Sequence, residues 1–115
     1  MFRDGPEAEE YSEHAQIWAV LSGAVRGEEA KRLLETALSE PLPAKSSFAH
    51  TYFVFRALSA CGMYEKSFPL WDMWREQVKL RLTSWVEDPV GSRSDCHAWG
   101  AMPLHEFPAE LLGVK

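Results

Sequence analysis

Apolar residues recur along the first eighty positions at the spacing of α-helices rather than with the alternation of strands. Ile17, Trp18, Leu21, Ala24 and Val25 mark one face of a 3.6-residue period, which predicts a helix over 12–26 with Ser12 as its N-cap and Gly27 as its stop. A second helix is expected over 28–40. Glu28 and Glu29 sit at its positive end, Ala30, Leu33, Leu34, Ala37 and Leu38 form its stripe, and Pro41 and Pro43 terminate it. Joined by a short corner, these two make an antiparallel hairpin.

A third helix is predicted over 47–61, beginning at Ser46 or Ser47 and closed by Gly62. Its apolar residues, among them Phe48, Tyr52, Phe53, Val54, Phe55 and Leu58, run round most of the circumference, the pattern of a helix enclosed on nearly all sides, although a chain of 115 residues has little to enclose it with. The fourth, over 64–82, carries Phe68, Trp71, Trp74 and Val78 on one face, and Pro69 must kink it or reset its start. The expected fold is therefore all-α, two successive antiparallel hairpins spanning 12–40 and 46–82, as in an α-solenoid or a helical toroid. After Leu82 the stripe is lost. Thr83 to Ser94, with Pro89, Val90 and Gly91, reads as a loop; residues 96–102 can form a turn or two, and 103–115 a short helix or coil. Residues 1–10 form an acidic lead, expected to be flexible, ahead of one domain over 11–115.

Composition narrows the function classes. The chain has 115 residues, 46% of them hydrophobic, with five Trp, six Phe and three Tyr, far too aromatic for a disordered segment. Net charge is −5 and the basic residues are scattered, which argues against nucleic acid as a partner. No basic-then-apolar leader and no run near the ~18 apolar residues of a membrane span occurs, so the chain as written is expected in the cytoplasm and off the membrane. Cys61 and Cys96 are expected to be reduced thiols, and the absence of HExxH, CxxC, P-loop and dinucleotide-binding patterns points to no metal and no cofactor.

Chemistry is best sought in the loop region. In Trp85-Val86-Glu87-Asp88 a carboxylate lies beside an aromatic ring that can meet a sugar face, and in Arg93-Ser94-Asp95-Cys96-His97-Ala98-Trp99 an imidazole is followed by a stacking platform. His14, His50 and His105 stand alone and read as structural or solvated. Together with Tyr11 to Gln16, Phe53 to Leu58, Gly62-Met63-Tyr64, Trp71, Trp74, Leu82 to Glu87, Pro103 and Leu112-Gly113-Val114, the Arg93 to Trp99 segment resembles the end of a bacterial α-L-rhamnosidase of glycoside hydrolase family seventy-eight. The likeness extends over about residues 10 to 115.

That resemblance implies a fragment of a six-hairpin (α/α)6 barrel. It gives Glu87 the role of the general base that activates water for an inverting attack on a rhamnose-containing glycoside, and His97 a contact with the rhamnose hydroxyls. Trp85 and Trp99 join them as substrate-binding residues. Some members place the Glu directly after the aromatic residue, where this chain has Val86, so Asp88 stays open beside Glu87 as the base. The family's general acid belongs to earlier hairpins, and inverting hydrolysis needs two carboxyl groups about 6.5–9.5 Å apart. The 115 residues are thus expected to be inactive alone, and to self-associate or to pack against other hairpins of the barrel through apolar faces. A different class, a non-enzymatic tetratricopeptide-like module for protein binding, fits the two hairpins equally well but gives no purpose to residues 83–103.

Overall fold

Ser12 opens the first helix of the computed structural model by accepting the Ala15 amide on its Oγ at 3.2 Å, which satisfies one of the donors a helix start leaves free. The structure describes residues 1–88, 91 and 93–114; Pro89 and Val90, part of the expected loop, lie outside them with Ser92 and Lys115. Helix α1 (Glu13–Leu21) ends at Leu21 rather than at 26. The stop is Gly23, which takes a φ of 78°, while its amide donates to Val20 O and that of Val25 to Ala19 O. Gly27, expected to terminate α1, instead begins α2 (Gly27–Ser39). Helix α2 buries Ala30, Leu33, Leu34 and Ala37, as its stripe requires.

Helix α3 (Phe48–Ala60) is capped by Ser47 and closed where Met63 N donates to Leu58 O and Gly62 N to Ser59 O, with Gly62 at φ 66°. Its cover is incomplete, as expected of so short a chain. Phe48, Thr51, Val54, Phe55, Ala57 and Leu58 are buried, but Ala49, Tyr52 and Phe53, on the side away from Trp71 and Trp74, are half-buried.

The predicted helix over 64–82 is two pieces. Tyr64–Trp71 winds as a 3-10 helix and α4 (Asp72–Lys79) follows it. Pro69 supplies the reason, since it has no amide to donate and its ring obstructs the carbonyl four residues back. Trp71, Trp74 and Gln77 are the residues this stretch buries towards its end, whereas Phe68 and Val78, expected on the same face, are 48% and 77% exposed. The ring pairs Phe48–Trp74 (4.9 Å), Phe55–Trp71 (4.8 Å) and Phe55–Tyr64 (5.9 Å) run in opposite order along the two elements, so the second hairpin is antiparallel. A 3-10 turn at Ala98–Ala101, α5 (Pro103–Glu106) and a π-helical turn at Phe107–Leu111 complete the chain. Every regular element among the described residues is helical, and none of those helices is long and apolar enough to cross a membrane.

Two polar devices join these parts. At the N-terminal side, Gln16 exchanges bonds of 2.7 Å with the backbone of Phe2, and Asp4 accepts from the amide and hydroxyl of Ser12. At the C-terminal side, the fully buried Glu106 accepts Arg56 Nη2 at 2.5 Å and the Tyr64 hydroxyl at 2.8 Å, while Glu110 accepts Arg56 Nη1 at 2.9 Å and Ser59 Oγ at 3.0 Å. Burial, and next the bond to Glu106, push the Tyr64 phenol well above its usual range, so it remains a donor. Removing one partner of a buried pair strands the other. Arg56→Met should therefore lower unfolding free energy by about 3–5 kcal/mol in urea titrations and release residues 103–111 from α3.

The seam between α1 and α3 carries a pair of imidazoles, His14 and His50, with ring centroids 3.8 Å apart. His50 Nδ1 lies 3.0 Å from Ser46 Oγ, and Glu13 beside it accepts from Ser46 N and pairs with Lys45. Burial, and next the neighbouring His14, lower His50 to about 4. Because the fold prefers neutral His50 while the unfolded chain titrates it near 6.5, this contribution is complete above about 6.5 and is lost as the pH falls towards 4. His50→Gln should flatten the fall of unfolding free energy between pH 7 and 4.5, read from denaturation midpoints.

Candidate functional site

The loop that follows α4 is turned out of the helix by a residue that pays for its conformation. Arg81 takes φ 57°, the left-handed region, while its amide donates to Val78 O and that of Leu82 to Gln77 O. The chain then runs out and back on itself. His97 N donates to Trp85 O at 2.6 Å, Glu87 N donates to Ser94 O at 2.9 Å, and Ser84 Oγ donates to Asp95 O. Residues 84–87 and 94–97 are thus two paired arms without being a strand ladder.

This pairing decides which of the candidate residues meet. Glu87 forms an ion pair with Arg93 at 2.5 Å. The Arg93 hydrogen bond foremost, with the charges of Arg93 and His97, holds its carboxyl below the usual range against a smaller cost of desolvation. His97 is half-buried and meets the ring of Trp99 edge-on at 4.9 Å, and Trp99 is 68% exposed. Glu87, His97 and Trp99 therefore belong to one neighbourhood although ten or more residues separate the first from the others. Asp88 faces elsewhere: it lines a depression with Asp95, Leu80 and Val86 at the end of α4.

The two tryptophans serve different surfaces. Trp85 lines an apolar groove of about 470 Å³ with Trp71, Trp74, Phe107 and Leu111. Trp99 lines another, of about 480 Å³, with Tyr52, Phe53 and Met102. Neither groove converges on a metal-binding set: among the described residues no group of three His, Cys, Asp or Glu side chains is placed to hold an ion.

Four residues outside the sequence-based candidates shape the site. Arg93 pairs with Glu87, as above. Trp74 Nε1 donates to Gly100 O at 2.7 Å, and Gln77 Oε1 accepts Val86 N at 3.4 Å. Gly100 is the fourth, since a Cβ there would stand 2.9 Å from Trp85 Cβ and 3.1 Å from Val86 O. The available sequence signal for Gln77 was its position, three residues after Trp74 and six after Trp71, on a stripe otherwise made of buried rings.

Comparison of the chain with models of protein families, with curated proteins and with solved structures finds no match. The left-handed turn at Arg81 has a measurable cost of its own. An L side chain there loses roughly 1–2 kcal/mol, offset in part by the extra unfolded-state freedom of glycine, so Arg81→Gly should raise unfolding free energy by about 0.5–1 kcal/mol. Thermal or urea unfolding of the single variant checks it; a loss of stability would mean that the Arg81 side chain contributes more than its backbone costs.

Proposed function

We propose that the chain is the terminal portion of an α-L-rhamnosidase-like (α/α)6 catalytic barrel, of the inverting type, that contributes the general base and part of the sugar-binding wall. Support for this comes from the one neighbourhood formed by Glu87 and His97, to which the family likeness gives the base and hydroxyl-contact roles, and the ring of Trp99 beside His97. In this reading Glu87 takes the proton of a water as that water attacks the anomeric carbon. Arg93 holds the carboxylate ionised but lowers its basicity, so in the assembled barrel the Arg93 bond must loosen for Glu87 to take the proton. His97 bonds to ring hydroxyls, and the exposed face of Trp99 packs against sugar C–H groups, with Trp85 behind the same loop. Asp88, which lines a separate depression, is the weaker candidate for the base.

The carboxylic acid that protonates the leaving oxygen is supplied by another hairpin of the barrel. Such hairpins, or a second copy, would cover exposed apolar side chains such as Trp18, Phe68, Val78 and Leu104. General acid help is worth about 10²–10⁴-fold in rate, and further positioning energy goes with the missing walls. The purified 115 residues should therefore give no detectable hydrolysis of a chromogenic α-L-rhamnoside, while L-rhamnose at high concentration shifts the NMR signals of His97 and Trp99. His97→Ala should abolish the shift at Trp99. An absent response, or an equal one to an unrelated sugar, would remove the reading; turnover that survives Glu87→Gln and falls in Asp88→Asn would move the base to Asp88.

A further inference from the structure

We infer that Trp74 and Gln77, three residues apart on α4, are positioning residues that set the register of the two arms bearing Glu87 and His97. The inference rests on the reading of those two residues as the site. Each side chain holds one arm. The Trp74 indole donates to Gly100 O at 2.7 Å, and Gly100 N in turn donates to His97 O at 3.0 Å, so the 97–100 arm is fixed to α4 through a single N–H. Gln77 Oε1 accepts the amide of Val86 at 3.4 Å, between Trp85 and Glu87, and so holds the outgoing arm.

The spacing explains why a helix can do this. Side chains three apart on a helix face start about 5–6 Å from one another, close to the roughly 4.8 Å that separates two hydrogen-bonded extended chains. Both anchors are buried. Trp74 is 5% exposed and its ring is packed on Phe48 (4.9 Å) and Trp71 (5.3 Å), and Gln77 is 7% exposed with its Nε2 unbonded among the described residues. Gly100 lets the arms close: any side chain at that position would collide with Trp85 and force them apart. A residue chosen only to fill the core at 74 or 77 would need no polar atom, yet both use one on a loop backbone group.

The test separates this role from packing. In the full chain, Trp74→Phe keeps a ring and loses the donor, and Gln77→Met keeps the length and loses the acceptor. Each should leave the helical circular dichroism intact. Each should raise amide hydrogen exchange at Glu87 and His97 by up to about tenfold, the value of one lost hydrogen bond, with the amides of α3 unchanged. The carboxyl titration of Glu87, followed by carbon NMR, should move up towards its ordinary range as Arg93 and His97 drift from it. Exchange and titration that match the parent in both folded variants would overturn the inference, as would exchange raised equally throughout the chain. Should Trp74→Phe fail to fold, Gln77→Met decides alone. A parent without any response to L-rhamnose, but with both variants altered as described, removes the proposed function and leaves the positioning role intact.

Discussion

A buried indole cannot leave its N–H unpaired without a cost of about 1–3 kcal/mol, and in Trp74 that requirement ties the loop to the core. Its ring belongs to the aromatic cluster with Phe48, Phe55 and Trp71 that joins α3 to α4, and its nitrogen reaches the backbone of Gly100. Trp71 beside it makes no such bond among the described residues. The two tryptophans look alike in the sequence and in burial, but only Trp74 transmits the position of the hairpins to residues 85–100. That link makes residues 85–100 part of the packed unit rather than an appendage to the two hairpins.

The hairpins were legible because their signals are local. Ser12 and Ser47 do cap α1 and α3, Gly62 closes α3, and the stripe of α2 is buried except at Leu38, which is half-buried near the helix end. The failures have physical causes that a stripe does not record. Gly23 and Gly27 both take positive φ, so either could stop α1, and the choice fell to the one whose following residues fold back on the helix. Pro69 did more than reset a helix start, since eight residues around it wind more tightly than an α-helix. The all-round apolar pattern of α3, by contrast, is more than so short a chain can cover, as expected, and the Tyr52 and Phe53 side of it is half-covered. On the site, side-chain identities marked Glu87, His97 and the tryptophans. Trp85 and Trp99 end on different grooves, and the contacts that bring Glu87 and His97 together are made between backbone carbonyls and amides, which have no signature in residue type.

Most exposed ion pairs are local, as in Lys31–Glu28, Arg75–Asp72 and Lys79–Glu76, whereas the buried one joins elements distant in sequence. Arg56 is the one Lys, Arg, Asp or Glu of α3, and it reaches Glu106 and Glu110 about fifty residues on. Burying such a cluster contributes little net stability compared with apolar packing, but its directional bonds admit one docking of the last helix and penalise others. The segment that carries His97 and Trp99 is thus bounded on one side by α4 and on the other by a helix locked to α3.

Gly100 and Trp99 are neighbours with opposite tolerances. Position 100 is closed to every side chain by the arm packed against it, whereas Trp99 presents its ring to solvent. Selection on this chain can accordingly rework the surface offered to solvent at 99 while the frame that holds it stays fixed at 100. Variation of this surface is then confined to exchanges of an exposed ring, with no repacking of the hairpins beneath.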